Sequence, residues 1–202
     1  MPGAPEPQYA LARRALLDAL DALGAQRAAV ILVGAQAIYL HTGEGDIAVA
    51  PFTTDGDLAL VPELLRDEPR LAEALEAAGF VPTREIGIWA KHGWLDRDKI
   101  LVTIDLLVPE TLGGPGRRAA RLGAHGDRIA RKVSGLEAIV VDRVITTIES
   151  LEADDRRAFQ VAVAGPAALM VAKLHKIGDR EGTGRSSDKD ALDLPLTSSR
   201  AS

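Results

Sequence analysis

The sequence predicts an α/β (α+β) domain: a mixed sheet flanked by helices, with a helical region at its C-terminal end. Three observations carry this expectation. Leucines recur at helical spacing over residues 9–23, a buried strand runs through a glycine into a helix over 28–41, and apolar segments alternate like antiparallel strands over 80–108.

The elements follow in order. Leu11, Leu16, Leu17, Leu20 and Leu23 line one helical face, and Gly24 stands where a left-handed C-cap belongs. Residues 28–33, Ala-Ala-Val-Ile-Leu-Val, read as a short buried strand that Gly34 ends before a helical stretch over 35–41. After a loop over 43–51, residues 53–61 read as a second strand whose odd positions Thr53, Asp55, Asp57 and Ala59 share one face. A helical stretch is expected from Pro62 to Ala78, with Leu64, Leu65, Leu71 and Leu75 apolar and Gly79 as its stop. Residues 80–83, 86–91 and 100–108 are expected as strands, the latter two joined across 92–99. After a Gly/Pro-rich connection over 109–116, further strands are expected at 128–133, 144–149 and 159–163. Pro166 suits the first turn of a helix over 167–177. A polar loop over 178–187 leads to a last short helix over 189–194, capped by Ser187 or Asp188, and then to a Ser-rich tail expected to be disordered.

Composition narrows the function classes. The 202 residues suit one α/β domain plus a smaller helical region. Apolar residues make up 47% but aromatics only 3%, so the core must be built from small aliphatic side chains. The absence of cysteine excludes a disulfide framework, a zinc-thiolate site and a cysteine nucleophile. The longest apolar runs, such as residues 28–33, are far short of a membrane span, and no basic region precedes an apolar one at the N-terminus, so a cytoplasmic protein with no membrane partner is expected. The net charge of −5 means that any RNA contact must be local. The candidate patch is Arg117, Arg118, Arg121, Arg128, Arg131 and Lys132 against Asp127, which reads equally well as a solvated loop and edge strand.

Four elements carry chemistry. In Leu32-Val-Gly-Ala-Gln-Ala37, Gly34 lets backbone N–H groups approach a phosphate while the following helix offers its positive end, although a glycine after a strand is more often a plain turn. In Thr53-Thr-Asp-Gly-Asp57 the two acids stand on alternate strand positions, about 6.6 Å apart along the backbone, so both carboxylates can converge on two magnesium ions. Asp55-Gly56 at a hairpin tip is the competing reading. Asp105 lies inside the apolar strand Ile100-Leu-Val-Thr-Ile-Asp-Leu-Leu-Val108, where a buried carboxylate must be paired or on a metal unless the strand is an edge facing solvent. Lys173, Lys176 and Arg180 on or after one helix, followed by Asp188-Lys-Asp-Ala-Leu-Asp193, can place a cation on a triphosphate with Asp190 orienting that cation or the acceptor. Taken alone, this last element also reads as a charged helical hairpin.

Taken in order, the four elements resemble the nucleotidyltransferase superfamily, whose fingerprint is a glycine turn, a spaced Asp-x-Asp and a third acid on a later strand. The terminal pattern Pro166…Leu169…Lys173…Arg180…Lys189-Asp190…Asp193-Leu194 looks more specifically like the AbiEii/AbiGii abortive-infection toxins and their MenT relatives. The resemblance implies a catalytic domain over residues 1–164, a helical region over 165–195 completing the site, and a tail over 196–202. It implies that Asp55, Asp57 and Asp105 bind two Mg2+ ions, that Asp105 also deprotonates the attacking hydroxyl, that Lys173 contacts phosphate and that Asp190 is needed for activity. Gly34, Ala35, Thr53, Thr54 and Lys173 are the expected nucleotide contacts. The chain departs from the family in having Ala35 after Gly34, and Pro51-Phe52 where an arginine usually precedes the acids, so a nucleotide-contacting cation is expected from elsewhere. The implied reaction moves a nucleoside monophosphate from a nucleoside triphosphate to an acceptor hydroxyl. The RNA or tRNA 3′ end is the first expectation for the acceptor, and a cognate antitoxin an expected partner. A small hydroxylated molecule such as an aminoglycoside, a protein acceptor, and an inactive ligand-binding member of the fold are the alternatives.

Overall fold

The computed structural model describes residues 6–42 and 54–181, the side chains of 179–181 apart. Helix α1 (Pro7–Leu23) starts with proline in its first turn and Glu6 accepting from Tyr9 N–H, and ends at Gly24 with φ 38°. The expected strand over 28–33 is shortened to β1 (Val30–Val33), because residues 24–29 wind into a 310 segment first. Helix α2 (Gly34–Thr42) follows without a linker.

Strand β2 (Asp55–Leu60) leads to a correction. The helix expected over 62–78 is instead a 310 turn over Pro62–Leu64 and a short helix α3 (Leu71–Ala77). Pro69 has no N–H and bars its predecessor from helical dihedrals, so the leucine spacing on either side belongs to two elements. Strands β3 (Val81–Pro82), β4 (Ile88–Leu95) and β5 (Asp98–Pro109) come next. β4 and β5 run well beyond the expected boundaries into a tight hairpin, with Asp96 at φ 53° in the turn. Short β6 (Arg131–Val133), then β7 (Arg143–Glu149), β8 (Ala158–Ala164) and helix α4 (Pro166–Glu181) complete the chain described.

The eight strands form one mixed sheet in the order β3-β4-β5-β2-β1-β8-β7, with β6 also on β5. β1 pairs antiparallel with β2 and parallel with β8, while β2 pairs parallel with β5. The long β5 is thus central, and its outer edge is shared by β4 along residues 98–105 and by β6 along 107–109. One apolar core joins α1, β1, β2, β5, β8 and the start of α4, through Leu16, Leu20, Ile31, Leu58, Leu106, Val163 and Ala168 among others. Leu16 of α1 approaches Gly56 of β2, so α1 covers the face opposite Asp55 and Asp57. The core therefore fixes the strands from one side and leaves the acids on the other.

Candidate active site

Register decides which acids meet. In the parallel β2–β5 ladder Asp57 stands directly opposite Asp105, and Asp55 opposite Thr103, so all three acids share one face. The hairpin-tip reading of Asp55-Gly56 and the edge-strand reading of Asp105 both fall, because β2 and β5 are interior strands at these positions. On its other side β2 sets Asp57 opposite Val33, the last residue before Gly34. Gly34 has φ 70°, and a Cβ built there would lie 1.9 Å from Asp57 Oδ2. Only glycine lets the first turn of α2 come up against this carboxylate.

A buried relay holds the start of β2. Gln36, on the first turn of α2, points its amide nitrogen at Asp55 O (3.4 Å) and takes Arg13 Nε on its oxygen at 3.2 Å. Arg13 is itself buried and also donates to Tyr9 Oη (2.6 Å) and Glu149 O (3.2 Å). Thr54 accepts on its carbonyl from Thr103 N at 3.3 Å, extending the ladder by one residue. Ala35 packs against the Tyr9–Tyr39 pair.

The electrostatics follow from this crowding. Burial first, then the charges of Asp55 and Asp105, push the Asp57 carboxyl up to about 7, against the pull of Lys176 and Arg131. Burial likewise raises Asp105, opposed by the Arg131 guanidinium and helped by Asp55 and Glu85. Arg131 Nη2 donates to Asp105 Oδ2 at 2.6 Å. Asp105 Oδ1 and Arg131 Nε are both buried without a hydrogen-bond partner, each at a cost of about 1–3 kcal/mol.

Sequence reasoning missed the part played by two of these groups, Arg131 and Glu85, and named Lys176 only beside Lys173. Arg131 stood out only as one of a basic run; the signal for it was the buried carboxylate Asp105, which needed a partner. Lys176, one turn beyond the half-buried Lys173 on α4, is a cation whose charge reaches Asp57. Glu85 adds a fourth acid beside Asp105. Helix α4 is anchored by Asp142, whose Oδ2 accepts from Ala168 N at 2.7 Å and whose carboxylate leaves no room for a Cβ at Gly165. Thr53 and Asp190 lie outside the described residues.

Whether divalent cations fit can be tested on the residues present. Asp105 Oδ1 is a buried acceptor awaiting a donor or an ion, and Asp57 resists ionisation beside two other acids, a repulsion that bound cations would remove. Among the described residues no three such ligands already converge on one point, and Arg131 occupies the second oxygen of Asp105. The donor set fits, provided that Arg131 moves.

A family model described as Nucleotidyltransferase matches residues 12–197, nearly the whole chain of 202. No curated protein and no solved structure matches it. Among the described residues, no helix is long and apolar enough to cross a membrane.

Proposed function

We propose that this chain, which belongs to the nucleotidyltransferase family, transfers a nucleoside monophosphate from a nucleoside triphosphate to the 3′ hydroxyl of an RNA such as tRNA. Membership of the family carries nucleotidyl transfer as such; the RNA acceptor, and a role as the toxin of a toxin–antitoxin or abortive-infection pair, rest on the terminal pattern from Pro166 to Leu194. The observation that supports the site assignment is the side-by-side register of Asp57 and Asp105 with Gly34 against Asp57.

In this reading the N-terminal turn of α2, opened by Gly34, offers its backbone N–H groups to phosphate oxygens, Ala35 included. When bound, Mg2+ ions held by Asp55, Asp57 and Asp105 supply charge neutralisation at the α-phosphate and at the leaving pyrophosphate. Asp105 takes the proton of the acceptor hydroxyl, the hydroxyl oxygen forms the new bond to the α-phosphorus, and the bond to the β-phosphate oxygen breaks. Lys173 and Lys176 on α4 stand on the phosphate side, Asp190 orients the α4 cation or the acceptor, and Thr53 and Thr54 line the nucleotide. Residues 1–164 act as the transfer domain and 165–195 complete its site.

The test is transfer of label from each α-32P nucleoside triphosphate to bulk tRNA in Mg2+, with the γ-labelled compound as control. Label on RNA from the α position alone is the expected result. Label on protein or on a small hydroxylated compound instead would overturn the acceptor, and no α-label transfer to any of the three would overturn the activity.

A further inference from the structure

We infer that Arg131 is the triphosphate-binding cation of this site, parked on Asp105 in the nucleotide-free protein and moving onto phosphate oxygens when a nucleoside triphosphate enters. The inference rests on the nucleotidyl-transfer reading above. Its basis is the way the sheet delivers this side chain. The outer edge of β5 is occupied by β4 as far as the Ile88–Asp105 pair, and by β6 from the Leu107–Arg131 pair onward. At the join, Gly87 has φ 83°, Leu106 N donates to its carbonyl at 2.8 Å, and a Cβ there would lie 2.7 Å from Leu106 O and 2.8 Å from Arg131 N. Three backbones converge at this notch. Arg131 opens β6 opposite Leu107, two residues along β5 from Asp105, so its side chain enters on the face of the acids.

The contact it makes there is incomplete. An arginine–carboxylate pair is frequently a two-bond fork. Here one bond joins Nη2 to Oδ2, while Nε and Oδ1 stay buried and unpartnered. The offset leaves a donor for a ligand with several acceptor oxygens, and an acceptor that becomes useful once the guanidinium has left. A polyanion arriving beside Asp55, Asp57, Asp105 and Glu85 also needs positive charge on the same face, and the field of Arg131 already reaches Asp57. Only the side chain has to move. The segment before β6 is tied to it by Lys132 N on Arg118 O (2.8 Å) and Ala120 N on Ala130 O (3.0 Å).

Inorganic tripolyphosphate, which carries the phosphate chain without base or sugar, is the probe, titrated calorimetrically in Mg2+ into wild type, Arg131→Lys and Arg131→Met. Arg131→Met is expected to bind at least about tenfold more weakly per folded molecule and Arg131→Lys to recover part of the loss, with Arg131→Met melting below wild type because Asp105 loses its partner. In the transfer assay KM for the nucleoside triphosphate rises in the same order. Should Arg131→Met fail to fold, adding Asp105→Asn removes the uncompensated carboxylate, and this double variant must bind more weakly than Asp105→Asn alone. Unchanged affinity in Arg131→Met, a loss that only follows the unfolded fraction, or no binding to wild type would each overturn the inference. Arg131-dependent tripolyphosphate binding without any transfer would sink the enzymatic reading alone. Transfer that needs Asp57 but binds tripolyphosphate equally well in Arg131→Met would sink this inference alone.

Discussion

Two buried polar clusters in this molecule are built on opposite terms. Around the break between Pro62 and α3, the fully buried Gln26 donates to Arg66 O (2.9 Å) and Pro69 O (2.8 Å) and accepts from Arg66 N at 2.9 Å. His125 takes Leu71 N on Nδ1 at 3.2 Å, which places its proton on Nε2 facing Arg66 O at 2.8 Å. Every side-chain polar group there is used. Around the three acids, by contrast, a carboxylate oxygen and a guanidinium nitrogen are buried unused, and Asp57 is held short of ionisation. The first cluster turns burial into a fixed backbone path. The second stores unfavourable energy that a charged ligand can release, which is the physical mark expected of the proposed binding site.

The sharpest way to break this comparison is to remove one acid. Asp57→Asn is expected to reduce transfer at least about 10²-fold, since misplacing the reacting groups alone costs that much. In EDTA above pH 7 the same variant melts at or above the wild-type temperature, because it loses a destabilising charge. A variant that melts well below wild type and transfers normally would show Asp57 to be structural.

Gln26→Leu is the converse change. It strands Arg66 N–H and the Pro69 carbonyl, so an unfolding free energy lower by about 3 kcal/mol is expected, read from urea midpoints. Transfer per folded molecule stays at the wild-type value. An unchanged midpoint would mean that the 66–71 turn does not depend on Gln26.

Acid titration sharpens the contrast further. The folded Asp57 carboxyl, at about 7 against an ordinary 3.8, keeps a proton that the unfolded chain gives up. Its contribution therefore favours the fold most below about pH 4, declines as pH rises towards 7, and is level above that. Full conversion of the shift would amount to about 4 kcal/mol, and residual contact with water brings the expected loss to about 2 kcal/mol. Urea midpoints in EDTA at pH 5 and pH 8 measure it, and Asp57→Asn should flatten the difference. A wild-type protein more stable at pH 8 than at pH 5 in EDTA would contradict this assignment.

The sequence carried some of this architecture openly and hid the rest. The α1 leucines, the strand–Gly34–helix turn, the alternate acids Asp55 and Asp57, and Asp105 in an apolar strand were legible because each is a local pattern with one geometric meaning. The Asp57–Asp105 pairing was legible only as an expectation of adjacency, since a parallel ladder joins segments some fifty residues apart and its register leaves no local mark. Arg131 was hidden by its setting among five other cations, whereas its role follows from the notch at Gly87, which no spacing encodes. The split at Pro69 was readable in principle, but leucine periodicity on both sides outweighed one breaker.

The smallest effect tests whether pairing or burial is the operative difference between the clusters. Arg14 and Glu152 form a forked ion pair, as fully matched as the bonds of Gln26, yet Arg14 remains 44% exposed. Water competes for both partners, and holding two long side chains together costs conformational entropy, so the pair is expected to contribute no more than about 0.5 kcal/mol. Its hydrogen bonds to Glu152 raise the Arg14 pKa, but an arginine is charged at every working pH, so this gives no pH dependence. Glu152→Gln should thus shift the urea midpoint barely beyond error at low salt, and not at all in 0.5 M NaCl, where charges are screened within a few ångströms. A loss as large as that of Gln26→Leu would mean that complete pairing stabilises wherever it occurs. The unpaired atoms of Asp105 and Arg131 would then be set apart by being unpaired, with burial adding little.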